Sequence, residues 1–177
     1  MDQKTAKKII DDRRSEGKND QQIYDELSGH FDNKKNLALL ITGTASVQTR
    51  RQYKLYNNVL IGLLAITLLF RLMGAFSLVA GGEILGFIVS LVGILLPGLF
   101  IYGFINYMGA MYKLCGFLTL LGIVQLIARW DNSILVIIDL LILISMAGLS
   151  FYLGSKMFPK FSPNKLRKDE NGAYLLN

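Results

Sequence analysis

Four ionisable residues stand within or beside long apolar runs of this chain: Arg71, Glu83, Arg129 and Asp139. In hydrocarbon, a guanidinium and a carboxylate at matched depth have three uses. They form an ion pair that fixes helix order, they hold a ligand, ion or lipid headgroup, or the long side chain snorkels to the interface without a fixed partner. Arg71 is the most informative of the four, because apolar residues flank it on both sides. Glu83 follows the turn at Gly81-Gly82, and Asp139 falls about one and a half turns into the last apolar run. These depths coincide, so the sequence predicts one polar cluster of Arg71, Glu83, Arg129 and Asp139 in the outer half of a membrane. The expected arrangement is a structural ion pair, with Glu83 or Asp139 as the partner of Arg71.

Other chemistry is sparse. Cys115 is the single cysteine and His30 the single histidine, so neither an internal disulfide nor a histidine metal set is available. Cys115 has no histidine near it in sequence and no glycine elbow, which argues against a nucleophile. Phosphate-binding, dinucleotide and His-Glu-x-x-His patterns are missing. The acidic pairs Asp11-Asp12, Asp25-Glu26 and Asp169-Glu170 fall on polar faces or in the tail. We therefore expect no metal, no cofactor and no enzymatic activity. Gln125 and Ser145 lie inside apolar runs and suit hydrogen bonds between helices, while Pro97 is expected to bend its helix near Val92–Pro97. Glycines such as Gly86, Gly93, Gly116 and Gly122 mark faces where helices can approach closely.

The elements that would position these residues are long apolar helices. Apolar residues make up 52% of the 177 positions and charged residues 18%. Runs near 56–79, 85–106, 114–130 and 133–153 approach the roughly 20 residues a helix needs to cross a bilayer. All lysines and arginines except Arg71 and Arg129 lie up to Lys54, at Lys113, or after Gly154. An even number of crossings puts those segments on one side. This is the positive-inside pattern, which places both termini and the loop near 107–113 in the cytoplasm. Tyr53, Tyr56, Tyr107, Tyr112, Phe151 and Tyr152 would line that interface and Trp130 the other. The net charge of +6 then serves anionic lipid headgroups and not nucleic acid. Size and simplicity favour a bacterial inner membrane.

The fold class expected is an all-α integral membrane protein with four transmembrane helices and a small cytoplasmic helical module. Residues 1–50 read as amphipathic helices. One ends at Gly17, a second begins with the Asn19–Gln22 capping box, and a third starts at Asp32 or Asn33 and runs through Ala45, as far as Val47. Residues 51–155 form the membrane domain, with a tight turn from Trp130 to Ser133, and 156–177 a basic, mostly irregular cytoplasmic tail whose last residues are held by a partner or by the module. Tyr53-Lys54-Leu55 and Tyr112-Lys113-Leu114 precede Arg71 and Arg129 at similar spacings, as two parallel repeats would. Membrane lipids are the expected surroundings. The functional reading is a non-enzymatic scaffold or accessory subunit that assembles with itself or a larger membrane complex. The alternative is a small channel or transporter whose path forms on oligomerisation.

Overall fold

The computed structural model describes residues 3–31, 33–128, 133–161, 167–169 and 174–176. Within them the order is α1 (Gln3–Ser15), α2 (Asp20–Leu27), a 3-10 turn (Ser28–His30), α3 (Lys34–Thr42), α4 (Val47–Ala80), α5 (Ile84–Ile105), α6 (Gly109–Ala128) and α7 (Ile134–Met157). A two-residue antiparallel pair follows, β1 (Arg167–Lys168) and β2 (Tyr174–Leu175), so the tail carries a small regular element that its composition did not announce. Helices α4 to α7 are long and apolar enough to cross a membrane.

The first three helices form a module with its own core. Gly17 takes φ +85°, and Lys18 N–H donates to the Arg13 carbonyl at 3.1 Å, closing α1 with a residue that needs no Cβ. Asn19 and Gln22 satisfy each other's backbone at the start of α2, and Asn33 accepts from Asn36 N–H at the start of α3. Ile10, Ile23, Tyr24, Leu27, Leu37, Ala38 and Ile41 are buried together, with Tyr174 and Leu176 from the far end of the chain. Gln21 holds that strand like a neighbouring backbone: its Nε2 donates to the Tyr174 carbonyl at 3.3 Å and its Oε1 accepts from Leu176 N–H at 2.7 Å.

Helix α3 stops earlier than its apolar residues suggest. It ends at Thr42, and α4 begins at Val47 behind the cap Ser46, whose side chain accepts from Thr49 N–H. Thr42 and Thr44 hydroxyls donate to the Ala38 and Leu40 carbonyls at 2.9 and 2.6 Å, which satisfies the end of α3 from within. Arg14 completes the stop, donating to the Thr44 and Ile41 carbonyls while also holding Asp20. From Val47 onward α4 is one helix through the polar stretch and the whole apolar run.

In the bundle, α4 packs along α5 and α6 along α7, and the two hairpins meet chiefly through α4 and α7. The module sits on the end formed by the start of α4 and the α5–α6 turn. Gly109 N–H donates to the Gly43 carbonyl at 3.2 Å, so two glycine backbones touch. A Cβ on Gly109 would lie 2.9 Å from the Phe158 ring, and one on Gly43 would lie 2.7 Å from the Leu39 carbonyl and 3.1 Å from the Phe161 ring. Arg50 binds both carboxylate oxygens of Asp11 and the Ala45 carbonyl, and lies 5.7 Å from the ring centroid of Tyr107. Tyr107 itself adopts φ +49° to close α5, a conformation usually left to glycine. Lys113 donates to the Phe161 carbonyl, binding the start of α6 to the segment after α7. The module, the α5–α6 turn and the tail are thereby gathered at one end of the bundle, here called the module end. The other is the distal end.

Candidate functional site

Burial within the bundle changes at one level. From the module end up to Leu64, Pro97, Thr119 and Met146 every helix contributes buried residues. Leu60, Leu64, Phe100, Phe104, Tyr112, Cys115, Met146 and Leu153 form one cluster. Beyond that level, Ala75 alone is buried among the residues whose side chains are described.

The packed half holds a polar pair that sequence reasoning missed. Asn57 is 1% exposed; its Nδ2 donates to the Phe104 carbonyl at 3.2 Å, and its Oδ1 accepts from the Tyr112 hydroxyl at 2.6 Å. Tyr112 is 0% exposed and stacks on Phe104 with ring centroids 4.4 Å apart. Tyr53, its counterpart in the suggested repeat, sits instead at the rim against Tyr56 and Tyr152. Cys115 is buried, 3.9 Å from Thr119 Oγ1 and beside Ser150, whose Oγ is buried without an ordinary hydrogen-bond partner among the described residues. Ser145 points outward and is exposed. In this half the buried polar residues, among those described, are Asn57, Thr119 and Ser150.

The sparsely packed half contains two adjoining spaces. A cavity of about 120 Å³ lies between the helices at the level of the packing change, lined among others by Leu64, Thr67, Pro97, Phe100, Cys115 and Thr119, with Arg71 at its edge. A crevice of about 370 Å³ continues from it between α4, α6 and α7, lined by Thr67, Phe70, Arg71, Gly122, Gln125, Leu126, Asp139, Ile142 and Leu143. The two share Thr67, Arg71, Gly122 and Leu143.

Arg71 reaches this position because α5 makes room. Its Nη1 lies 2.7 Å from where a Cβ on Gly93 would stand, so any larger residue at 93 would displace the guanidinium. Gly93 is four residues before Pro97, and proline has no N–H to give the Gly93 carbonyl. Helix α5 continues on both sides of Pro97, which is buried and lines the cavity.

The expected cluster is thus distributed as follows. Arg71 and Asp139 line one crevice together with Gln125, and all three are exposed to it. Glu83 begins α5 at the distal turn, near Gly86, and does not line the crevice. Arg129 lies outside the described residues, as do Trp130 and Asp131. Among the described residues no ion pair within 4.0 Å joins Arg71 to Glu83 or Asp139; the pairs present are all in the module and the first turns of α4. No group of three or more metal-ligating side chains occurs among the described residues, and His30 is exposed on the module. Comparison with protein-family models, with curated proteins and with solved structures finds no match.

Proposed function

We propose that this chain is a non-enzymatic membrane scaffold or accessory subunit that assembles, through the distal half of its bundle, with a second copy or with another membrane protein. The observation that supports this reading is the uneven packing: one half of four apolar helices buries a continuous core, and the other buries Ala75 alone among the residues whose side chains are described. Helix association in a bilayer depends on close packing and interhelical hydrogen bonds, since lipid is as apolar as the side chains. A half-bundle that buries so little gains both from a partner. In this reading the module end lies in the cytoplasm, where its lysines and arginines are retained, in a bacterial inner membrane. The Gly43–Gly109 contact and the Arg14 and Arg50 clamps then present the module in a fixed orientation.

The channel or transporter alternative needs a path between protomers. Within one protomer the side chains of Leu60, Leu64, Phe100, Phe104 and Tyr112 close the bundle on the module side of the cavity.

The test is photocrosslinking in the native membrane. Crosslinking residues at Phe76 and Leu141, which are 70% and 60% exposed on the distal half, should capture a second copy or one recurring membrane protein. The same residues at Leu55 and Leu114, near the module end, should capture lipid. Lipid adducts alone at all four positions would overturn the reading. Ion flux through vesicles holding the crosslinked assembly would favour the alternative.

A further inference from the structure

We propose that the crevice between α4, α6 and α7 binds a zwitterion, an oxyanion joined by a short linker to a primary ammonium, and that its natural source is the headgroup of an ethanolamine phospholipid. The inference stands apart from the assembly reading above. It begins from two opposite charges that share one space without touching: Arg71 and Asp139 both line the crevice, both are exposed to it, and no ion pair within 4.0 Å joins them. Two such charges facing an apolar surrounding are costly unless something between them takes both. The volume of about 370 Å³ lies in the range of small-ligand sites, roughly 300–1,000 Å³. A concave space suits a headgroup better than the convex face of another helix.

The vertical order of the groups selects a lipid over other zwitterions. With helical rise of 1.5 Å per residue, Gln125 stands about 5 Å from Ala128, the last described residue of α6, Asp139 about 8 Å from the start of α7, and Arg71 about 14 Å from the end of α4. Below Arg71 comes the apolar cavity at Leu64, Pro97 and Phe100. An ethanolamine phospholipid has the same sequence of groups from the surface inward: ammonium, phosphate, acyl chain. Asp139 and the Gln125 carbonyl accept from the ammonium, the Arg71 guanidinium donates two hydrogen bonds to the phosphate, and the chain follows Phe70 toward the cavity. Choline lipids lack the N–H donors that Asp139 and Gln125 would accept, and quaternary ammonium is held by aromatic cages, whereas the crevice offers Phe70 alone. Anionic glycerol lipids would meet the Asp139 carboxylate.

The experiment uses the full chain in vesicles of phosphatidylcholine, of phosphatidylcholine with phosphatidylethanolamine, and of phosphatidylcholine with phosphatidylglycerol. Bound lipid is read by mass spectrometry after gentle extraction, and thermal unfolding is followed in parallel. The ethanolamine lipid should be retained preferentially and raise the unfolding temperature. Arg71→Leu and Asp139→Asn should each reduce that preference about tenfold or more, the loss of one charged hydrogen-bonding partner. Arg71→Lys and Asp139→Glu, which keep the charges, should retain part of it. The milder Gln125→Leu keeps the test open if a charge variant does not fold, and should lower the preference less. Equal retention by wild type and variants, or equal retention of all three lipids, would overturn the proposal. Displacement of the lipid by water-soluble phosphoethanolamine, with the same sensitivity to Arg71 and Asp139, would keep the zwitterion chemistry and overturn the lipid source. Loss of a second copy from the variants with no change in lipid would make the crevice a protein contact instead.

Discussion

At the module end of the bundle, Tyr112 gives its hydroxyl to Asn57 at 2.6 Å, Asn57 gives its amide to the Phe104 carbonyl, and two glycine backbones touch. At the distal end, Arg71, Gln125 and Asp139 face the same space, and no ion pair within 4.0 Å joins Arg71 to Asp139. The difference shows how polar groups are treated in one set of apolar helices. Where helices are close, a buried polar atom can be matched by another at a fixed distance, as Asn57 is by Tyr112, and the match specifies helix order. Where helices stand apart, polar groups remain available to a molecule that is not part of the chain. The glycines mark the same contrast, since Gly43 and Gly109 permit backbone contact while Gly93 makes space for a guanidinium.

Five changes would break or sharpen this contrast. Tyr174→Ala removes a buried ring packed edge-on against Tyr24 at 6.3 Å between centroids, and should destabilise the module by about 3–5 kcal/mol. Hydrogen exchange in α1 to α3 should report it, with the distal half unaffected. Gly43→Val forces a Cβ against the Leu39 carbonyl and should cost about 1–3 kcal/mol in thermal unfolding. An unchanged transition would mean that the module end is not closed as described. For Asn57→Ala with Tyr112→Phe, a double-mutant cycle should give a coupling of about 0.6–1.7 kcal/mol. The same cycle on Arg71→Leu with Asp139→Asn, in phosphatidylcholine vesicles, should be additive within about 0.5 kcal/mol. A coupling as large as that of Asn57 and Tyr112 would make the two ends alike.

The smallest effect is expected at Glu26, on the exposed surface of the module. The hydrogen bond from Lys18, with Arg13 nearby, holds its carboxyl below the usual value of 4.5. A carboxylate with a depressed folded-state pKa contributes stability that is present above the unfolded value and lost as pH falls through the folded one. Unfolding of the wild type should therefore steepen below pH 4.5 relative to Glu26→Gln, and parallel pH profiles would exclude the contribution.

Much of the scaffold was legible because its causes are local. The runs near 85–106 and 133–153 lie on Ile84–Ile105 and Ile134–Met157, since a long apolar sequence needs no tertiary context to be helical. Gly17, Asn19, Gln22 and Asn33 act where capping chemistry puts them. The inward faces were not legible. A helix that is apolar all round carries no amphipathic period, so nothing in the sequence distinguishes outward Ser145 from buried Ser150. Asn57 likewise reads as a polar residue at the entry of an apolar run until Tyr112, 55 positions later, is placed against it. The stop of α3 at Thr42 depends on Arg14 from α1 and on the segment around Phe161. Grouping Arg71 with Asp139 by depth brought two of the crevice residues onto one page, but depth alone does not give the direction of a side chain around its helix.

Tyr174 and Leu176 complete the core of helices made some 130 residues earlier in synthesis, after all four apolar helices have been produced. During translation the first three helices must wait with the ring of Tyr24 lacking its partner until that late segment arrives. A nascent chain interrupted before it would leave the ribosome with an unfinished, sticky head, which quality-control proteases or chaperones can distinguish from the finished product by its exposed apolar surface alone.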